Sequence, residues 1–430
     1  MREMKDSGIE WIGQIPQGWH VDRLKYCADL DSEKLSEKTD PEYAFNYIDI
    51  SSVTEYGGIG STQEMTFDKS PSRARMIVHD GDTIISTVRT YLKAIAYIDG
   101  LEDHICSTGF CVVTPNEKLH PKFGYYLLQS DYFVQKIVSE SVGVSYPAIS
   151  STEIGNMSIA IPDPEEQTRI ALHLDNKCAE IDTLIAAKEK TNALLKERRQ
   201  SIIYEAVTKG LNPNAPMKDS GIEWIGEIPE SWAVGKLGYF IEVFNGDRSS
   251  NYPSGSDIQE SGVPFLTSSN LEYDVLDMSS SKYISEEKYE SMSGLKMELN
   301  DIIYCLRGSV GKCSINKTET CGTVASSLMG IRCKKMEPEF LLFVLKSPVI
   351  ETQNALFMNG TCAANLSAEN VCGYLVPIPA KAEQTAIAEY LQDRCTEMDE
   401  LISANEATIQ KLKEYRQSII YEAVTGKIEI

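Results

Sequence analysis

The chain has 430 residues, of which 42% are hydrophobic and 24% are charged, and its formal net charge is −22. This length predicts two to three domains, and the composition is that of a globular protein rather than of a membrane or a disordered one. The eleven cysteines are never spaced C-x-x-C, and the five histidines all precede residue 174. We therefore expect neither a zinc site nor a disulfide framework, but a reduced, cytoplasmic protein.

The phrase MKDSGIEWIGQIP at residues 4–16 returns at residues 217–229 with one change. Residues 4–24 match residues 217–237 at 15 of 21 positions, and all four tryptophans of the chain lie in these two stretches. The first copy carries a group of large apolar residues and a proline, namely Trp11, Ile12, Ile15, Pro16 and Trp19. They predict a compact plug that seats the adjoining domain on a helical segment; a share in docking a partner protein is an additional possibility.

Residues 25–160 and 238–377, which follow the two copies, share only traces such as SSVTEY against SSNLEY. Runs of β-branched and aromatic residues, separated by turn residues and followed by a helical stretch, predict a mixed α/β domain with a curved sheet in each. Connecting segments that stay alike while the domains diverge indicate one type of partner held twice and two different ligands. Sequence drift alone is the alternative explanation.

Residues 161–208 match residues 378–425 at 29 of 48 positions. Asp163 as N-cap, Glu166 as its capping-box partner and Gly210 beyond the last turn predict one long helix. At a rise of 1.5 Å per residue, such a helix is about 65–70 Å long.

Both copies carry an apolar stripe whose spacings alternate between four and three, with polar residues in its middle, as in a coiled-coil seam. The apolar seam residues are Leu174, Ile181, Ile185, Leu195 and Ile202 in the first copy and Leu391, Met398, Ile402, Leu412 and Ile419 in the second. We expect the two helices to pack as an antiparallel coiled coil that relates the halves by an approximate two-fold axis. Two separate helices, each packed on its own domain, are the alternative.

Motifs for chemistry are missing from the sequence. No G-x-G-x-x-G opens a helix after a strand, and the glycines of GSVGKCS (308–314) are too close together for a phosphate-binding loop. The second half has no histidine and so cannot form a Ser-His-Asp site. We predict no catalytic centre and no metal site in this chain.

Local basic and polar groups on corresponding loops are the candidates for contact with a nucleic acid, because arginine and asparagine suit base edges and lysine suits phosphates. In the first domain these are Ser51, Ser52, Arg73, Arg75, Arg89, Tyr91, Lys93 and Tyr146. In the second they are Ser268, Ser269, Asn270, Arg307, Lys312, Arg332, Lys334, Lys335 and Asn365. A solvated surface role is the alternative for each of them.

The two copies of SGIEWIG, each followed by a variable domain and then by EQT and RQSIIYEAVT, resemble the specificity subunit of type I restriction–modification systems over essentially the whole chain. The resemblance implies an α+β fold with two target-recognition domains, each reading one half of an asymmetric bipartite DNA sequence, and two helices that space them. It implies docking of two adenine-N6 methyltransferase subunits and, through them, of restriction subunits. S-adenosylmethionine, ATP and magnesium would belong to those partners.

The resulting division of the chain has four parts. A first recognition domain with its boundary element covers residues 1–160, a first helical spacer 161–216, a second recognition domain 217–377 and a second spacer 378–430.

Residues 20–160 carry 12 basic against 20 acidic residues, and residues 233–377 carry 12 against 17. Any positive surface must therefore be local, and we expect weak DNA binding by the isolated chain. A coiled-coil scaffold that binds only proteins is the main rival hypothesis; a free-standing enzyme and an acidic DNA mimic are weaker ones.

Overall fold

The computed structural model describes residues 2–54, 57–101, 103–143, 147–247, 252–358 and 365–430. The chain divides into two compact units, which we call the first unit (Met1–Lys188 with Glu406–Ile430) and the second unit (Glu189–Asn405). Each unit therefore contains one of the two variable domains and one half of each long helix. Along the described stretches, no helix is both long and apolar enough to cross a membrane.

The first unit and the long helix that leaves it contain the following elements. The strands are β1 (Met4–Asp6), β2 (Gln14–Pro16), β3 (His20–Arg23), β4 (Ala28–Leu30), β5 (Ala44–Ile48), β6 (Gln63–Thr66), β7 (Ala74–Ile77), β8 (Thr83–Ser86), β9 (Ile95–Tyr97), β10 (His104–Ser107), β11 (Phe110–Pro115) and β12 (Ser158–Ile161). The helices are α1 (Pro121–Gln129), α2 (Asp131–Glu140), α3 (Ser151–Asn156) and α4 (Pro164–Lys209).

The predicted curved sheet of the first domain is two four-stranded sheets, ordered β6-β5-β10-β7 and β4-β11-β8-β9. The first is mixed, with β5 and β10 parallel, and the second is antiparallel. Strand β8 is buried on both faces, because Ile85 packs into a core shared with the helices while Ile84 packs into a core shared with the other sheet. Successive side chains of a strand point to opposite faces, so one continuous apolar run can pack into two different cores. For this reason the sequence pattern did not show that the domain has two sheets.

The helical stretch predicted after the sheet is two helices, α1 and α2, that meet at Ser130. The backbone of Ser130 is extended, with φ −62° and ψ 143°, and its hydroxyl donates to the Leu127 carbonyl at 2.5 Å. This bond satisfies a carbonyl of the last turn of α1, so the first helix ends there and the second begins at once.

The second unit repeats this construction. Its strands are β13 (Met217–Asp219), β14 (Glu227–Pro229), β15 (Ala233–Lys236), β16 (Ile241–Asn245), β17 (Val263–Leu266), β18 (Lys282–Ile284), β19 (Ile302–Cys305), β20 (Cys313–Ile315), β21 (Thr323–Val324), β22 (Leu328–Cys333) and β23 (Leu375–Ile378). Its helices, together with the long helix that leaves it, are α5 (Glu286–Ser291), α6 (Pro338–Leu345), α7 (Pro348–Phe357), α8 (Ala368–Cys372) and α9 (Lys381–Val424). The main sheets are ordered β16-β22-β19-β20 and β18-β17-β21, and β19 again alternates between two cores.

The two long helices pack as an antiparallel coiled coil, as the seam predicted. In the first unit the N-terminal half of α4 shares a core with the C-terminal half of α9, and in the second unit the opposite halves share one. Buried or half-buried seam residues are Leu174, Ile181, Ile185, Leu412 and Ile419 in the first unit and Leu195, Ile202, Leu391, Met398 and Ile402 in the second. The amide of Asn405 donates to Asn192 Oδ1 at 2.9 Å, and such a polar pair inside a seam favours one register of the helices.

Each of the two matching stretches, residues 4–24 and 217–237, seats a tryptophan on the first turn of a long helix. Trp19 Nε1 donates to Glu166 Oε2 at 3.2 Å in the first unit, and Trp232 Nε1 donates to Glu383 Oε2 at 2.9 Å in the second. Asp163 Oδ1 accepts from the Glu166 amide at 2.9 Å, as expected of an N-cap. The carboxylate of Glu166 thus holds the plug that the sequence predicted, and it also contacts Arg2.

A long helix also ends against each of these tryptophans. Gly210 and Gly426 follow α4 and α9 with φ of 71° and 68°, the left-handed conformation that closes helices. A Cβ on Gly210 would lie 3.1 Å from Trp232 Cζ2, and one on Gly426 would lie 3.1 Å from Trp19 Cζ2 and closer still to Pro16. Both copies of the phrase therefore form the same socket, in which one long helix begins and the other ends.

The glutamine of each EQT motif joins the domain to its helix through main-chain atoms. Gln167 Oε1 accepts from the His120 amide at 2.7 Å, while its Nε2 donates to the carbonyls of Lys118 and Pro162 at 2.9 and 3.1 Å. In the second unit Gln384 accepts from the Glu337 amide and donates to the Pro379 carbonyl, both at 2.9 Å. Both glutamines are buried, so these bonds fix the start of α1 or α6 on the long helix.

Candidate nucleic-acid interface

A single cleft of about 1030 Å³ in the first unit contains four of the residues proposed for DNA contact, namely Ser51, Arg73, Arg89 and Lys93. Among the residues that line it are also Gln129 from α1, Asp131 from α2, and Lys413, Arg416 and Gln417 from α9. Of the described lining residues five are basic and two, Asp49 and Asp131, are acidic. The cleft is thus locally positive in a domain whose overall charge is negative.

The turn Ile50–Ser52, which Asp49 caps, forms one wall of the cleft. The Asp49 carboxylate accepts from the Ser51 amide at 2.8 Å and from the Ser51 hydroxyl at 2.6 Å. The hydrogen bonds from Ser51 outweigh burial and, with Arg73 nearby, hold the pKa of Asp49 below its ordinary value. Arg73 Nε donates to Tyr47 Oη at 3.1 Å, so both the turn and the arginine are positioned by groups of their own domain.

Arg89 and Lys93 bracket the turn Thr90–Leu92 and both have left-handed backbones, with φ of 51° and 53°. Side chains other than glycine rarely adopt this conformation, and such residues cluster at functional sites. The Arg89 amide donates to the Pro147 carbonyl at 2.8 Å, and Lys93 Nζ pairs with Asp131 Oδ1 at 3.3 Å. The strained turn thereby presents two cations to the same cleft.

Arg416 is a cleft residue that the proposed contact set did not include. It is only 5% exposed, and its Nε donates to Asp182 Oδ1 at 3.0 Å while its Nη1 donates to Gln129 Oε1 at 3.3 Å. Burial opposes its charge, but Cys178 and Asp182 outweigh burial and raise the pKa of Arg416. The sequence feature that could have identified Arg416 is its place in the apolar seam of the second long helix, where Arg199 holds the same position in the first.

Other predicted residues of the first domain have different surroundings. The buried hydroxyl of Ser52 accepts from the Asp49 amide at 3.2 Å, so it stabilises the turn. Arg75 lies 4.4 Å from the ring centroid of Phe67 and donates to the Ala74 carbonyl at 2.7 Å. Tyr91 is 53% exposed. Tyr146 lies outside the described residues.

In the second unit the turn Ser268–Asn270 corresponds to the turn Ile50–Ser52, and its asparagine has a structural role. Asn270 Oδ1 accepts from the Thr267 amide at 2.8 Å, and its Nδ2 donates to the Asp277 carbonyl at 2.8 Å. Because Asn270 is 0% exposed, it offers no surface to a ligand. Ser269 contacts the Thr267 hydroxyl at 2.9 Å, and Ser268 lies at the start of the turn.

Arg307, Lys312 and Asn365 lie on loops that correspond to the cleft loops of the first unit. Arg307 Nε donates to Asn365 Oδ1 at 3.1 Å, and the two residues also form an isolated β-bridge. The equivalent bridge in the first unit joins Val88 to Ala148. Arg307 is therefore equivalent to Val88 rather than to Arg89, whose left-handed backbone is matched by Gly308 with φ 79°. Lys312 Nζ pairs with Glu272 at 2.7 Å.

Two residues of the predicted basic cluster at the end of β22, Arg332 and Lys334, pair with acidic neighbours. Arg332 donates to Asp301 through Nε and Nη2, both at 2.8 Å, and its Nη1 lies 2.7 Å from Glu298. The hydrogen bond to Asp301 is the main cause of a raised pKa of Arg332. Lys334 pairs with Glu242 at 3.1 Å, and the Lys335 amide donates to the Phe240 carbonyl at 3.2 Å. The bidentate geometry gives Arg332 a role in holding the sheet.

Arg199, the counterpart of Arg416, is bound by two carboxylates of the second unit. Its Nη2 lies 2.9 Å from Asp274 Oδ2, and its Nε lies 3.3 Å from Asp399 Oδ1. Lys346 also pairs with Asp274. Burial favours the neutral acid, but Lys346 and Arg199 outweigh it and lower the pKa of Asp274. Two cations and two carboxylates thus balance here.

The described residues bring together no group of three or more histidine, cysteine or carboxylate side chains suited to a metal ion. The side chains gathered in the first-unit cleft are mainly hydrogen-bond donors, which suits them to an anionic ligand with several acceptor oxygens.

A family model described as the type I restriction modification DNA specificity domain matches residues 16–195 and 229–413. The chain is 23% identical to the type I restriction enzyme MjaVIII specificity subunit of Methanocaldococcus jannaschii, across 97% of this chain and 94% of that protein.

Two solved structures share the fold. One is a chain from a study of complex assembly and conformational transition in the type I R-M system; it is 24% identical, with a TM-score of 0.73 over 96% of this chain and 99% of that one. The other is the HsdS subunit of Thermoanaerobacter tengcongensis, 24% identical, with a TM-score of 0.50 over 96% of this chain and 98% of that one.

Proposed function

The chain belongs to the family of type I restriction–modification DNA specificity subunits, and from that premise we propose that it reads an asymmetric bipartite DNA target. Each recognition domain would read one half-site, and the paired helices α4 and α9 would set the gap between the half-sites. Two adenine-N6 methyltransferase subunits would dock on the chain, and restriction subunits would join through them.

The observation that carries this proposal is the contrast between repeated joints and unlike domains. Trp19 with Glu166 and Trp232 with Glu383 form the same socket in both units, whereas the loops above them differ in sequence and in charge pairing. Repeated joints attach two unlike domains to the paired helices in the same way, and two unlike half-sites require unlike loops. Because the domains differ, the target should lack two-fold symmetry.

The proposal assigns the chemistry to the partners. This chain would be a non-catalytic, cytoplasmic subunit, and S-adenosylmethionine, ATP and magnesium would be bound by the methyltransferase and restriction subunits. Consistent with this division, residues 20–160 and 233–377 are both acidic overall. Much of the phosphate clamp would therefore come from the methyltransferase subunits, and the isolated chain should bind DNA weakly and with a shallower salt dependence than the assembled complex.

Methylome sequencing tests the proposal directly. A host that expresses the chain together with its methyltransferase partner should gain N6-methyladenine in one asymmetric bipartite motif. Replacing residues 25–160 with the corresponding segment of another specificity subunit should change one half-site and leave the other half-site and the gap intact. A methylome without a new motif, or a replacement that alters both half-sites, would contradict the proposal.

A protein-only scaffold is the second candidate, favoured by the net charge of −22. Electrophoretic mobility shifts of the chain with its purified partner, with and without DNA that carries the motif found in the methylome, separate the two functions. A scaffold would bind the partner and leave DNA affinity unchanged, whereas a specificity subunit would make the complex prefer that motif over a scrambled duplex.

A further inference from the structure

We propose that Lys413 and Arg416 of helix α9, together with Arg73, Arg89 and Lys93, form a phosphodiester-binding site in the cleft of the first unit. The helix that spaces the half-sites would thereby also hold the DNA backbone at one of them. In the second unit a carboxylate of the protein, that of Asp274, takes the place of such a phosphate. This inference rests on the proposed function for the identity of its ligand.

The first step is that the cleft combines cations from two sources. Arg73, Arg89 and Lys93 come from the variable domain, while Lys413 and Arg416 come from a helix that is largely repeated in the chain. Arg416 lines the cleft with Nε held by Asp182 and Nη1 held by Gln129. A guanidinium fixed in this way is preorganised for an oxyanion, because little side-chain freedom remains to be lost on binding.

The second step is the correspondence between Gly57 and Asp274. The Gly57 carbonyl accepts from the Tyr97 amide in β9 at 3.1 Å, and the Asp274 carbonyl accepts from the Ile315 amide in β20 at 2.8 Å. Tyr97 and Ile315 occupy the same place in their sheets, since they pair with the first residues of β8 and β19. Residues 57 and 274 are therefore equivalent positions.

The third step is the chemistry at this position. A Cβ on Gly57 would lie 2.7 Å from Gln129 Nε2 and 2.9 Å from the Ile95 carbonyl, so the first unit has no room for a side chain there. In the second unit Asp274 contacts both Arg199 and Lys346, and Lys346 is the sequence counterpart of Gln129. A carboxylate that bridges two cations supplies acceptor oxygens of the kind that a bound phosphate would supply, so at this position the second unit provides the anion from its own domain.

Lysines at equivalent positions of the two helices give a matched test. Lys413 lines the cleft, and its counterpart Lys196 is exposed on α4. In the full chain, the binding of a fluorescent duplex of arbitrary sequence is followed by anisotropy as salt is raised. Lys413→Gln should weaken binding about 3- to 10-fold at low salt and lower the slope of log K against log salt by about one, as expected for one lost phosphate contact.

The matched variant Lys196→Gln should stay within about twofold of the natural chain, because its unit uses Asp274 in place of a phosphate. Equal losses in the two variants, or no loss in either, would overturn the inference while leaving DNA recognition itself intact. Thermal unfolding of each variant confirms that it is folded. Arg416→Gln and Arg199→Gln then repeat the comparison at the arginines, with loss of DNA affinity expected only for the former.

A second probe separates a failed inference from a failed function. Inorganic pyrophosphate should raise the unfolding temperature of the natural chain, and Lys413→Gln should reduce this rise. If the chain binds no duplex even at low salt but keeps the pyrophosphate effect, DNA recognition by the isolated chain fails and the ligand is a free phosphate, which overturns the DNA part of the inference. If pyrophosphate has no effect on the natural chain, the anion site itself is refuted.

Discussion

Arg416 and Arg199 occupy the same position in two helical repeats, yet their surroundings differ. Each pairs with an aspartate of the opposite helix, Asp182 in the first unit and Asp399 in the second. In the first unit Gln129 accepts from Arg416 and the arginine lines an electropositive cleft. In the second, Asp274 binds Arg199 from the recognition domain. The helices thus supply the same arginine–aspartate pair twice, and the second unit adds the carboxylate of Asp274 from its recognition domain.

The comparison locates the difference in one residue of each domain. Gly57 and Asp274 hold equivalent main-chain positions, and only the second has a side chain. Asp274 is half-buried, with 17% of its side chain exposed, and it sits between two cations. Burying a carboxylate costs free energy because the group is removed from water. Deleting that carboxylate while its cationic partners stay buried costs more. The second unit should therefore depend on this contact for stability, and the first unit should not.

Removing the carboxylate gives the largest expected effect. Asp274→Ala removes the carboxylate that bridges Arg199 and Lys346 in a partly buried site and leaves Asp399 beside Arg199; we expect a loss of about 3–5 kcal/mol in the free energy of unfolding. Urea unfolding of the full chain measures it. Asp277→Ala, in the same loop but bonded mainly to Ser279, is the control and should leave the free energy of unfolding close to that of the natural chain. Equal costs would refute a special role for Asp274.

The same contact predicts a pH dependence. The pKa of Asp274 is lowered in the folded chain because Lys346 and Arg199 outweigh the effect of burial. A carboxyl whose pKa is lowered by folding stabilises the fold above its unfolded pKa and loses that contribution as the pH falls through the folded value. The stability difference between the natural chain and Asp274→Asn should therefore be full at neutral pH and should shrink below about pH 4. A difference that stays constant from pH 7 to pH 3 would contradict this.

The helix ends offer a second matched pair. Gly426→Ala should cost about 2–3 kcal/mol and Gly210→Ala about 1–2 kcal/mol, because both strain a left-handed backbone but only the former also presses on a proline ring. Thermal unfolding with tryptophan fluorescence reports on both sockets. If Gly210→Ala proves the more damaging, the contacts with Pro16 and Trp19 are not the limiting ones.

The interhelical aspartates give the smallest difference. Asp182→Ala removes an interhelical carboxylate partner of Arg416, so we expect a loss of about 1–2 kcal/mol, whereas Asp399→Ala leaves Arg199 paired with Asp274 and should cost less than about 1 kcal/mol. Chemical denaturation of the two variants under the same conditions provides the comparison. A larger loss for Asp399→Ala than for Asp182→Ala would mean that Asp274 does not compensate for the missing aspartate.

The parts of the fold that follow from spacing along one segment could be predicted from the sequence. The stripe through Leu174, Ile181 and Ile185 predicted the seam, because residues three and four apart share one face of a helix. The two sheets were not separated, since a strand buried on both faces shows no alternation of apolar and polar residues. Where a strand turns from one core to the other depends on tertiary packing.

The candidate site was predicted only in part, for a related reason. Arg73, Arg89 and Lys93 were proposed as loop cations, and the structure gathers them in one cleft. The pairing of Arg199 with Asp274 joins residues 75 positions apart, and that of Arg332 with Asp301 joins residues 31 apart. A basic residue looks the same in sequence whether it is available to a ligand or neutralised by a distant carboxylate.

The joint made by Gln167 and Gln384 has a consequence for how the two domains could diverge. Each glutamine bonds only to main-chain amides and carbonyls in these contacts. Main-chain carbonyls are the same in every sequence and main-chain amides are lost only at proline, so a joint made to them does not depend on the other side chains of the adjoining domain. Substitutions can accumulate in the loops without altering how the domain is attached. The attachment therefore depends little on the side chains of the domain. The recognition surfaces can change while each domain stays attached to its long helix in the same way.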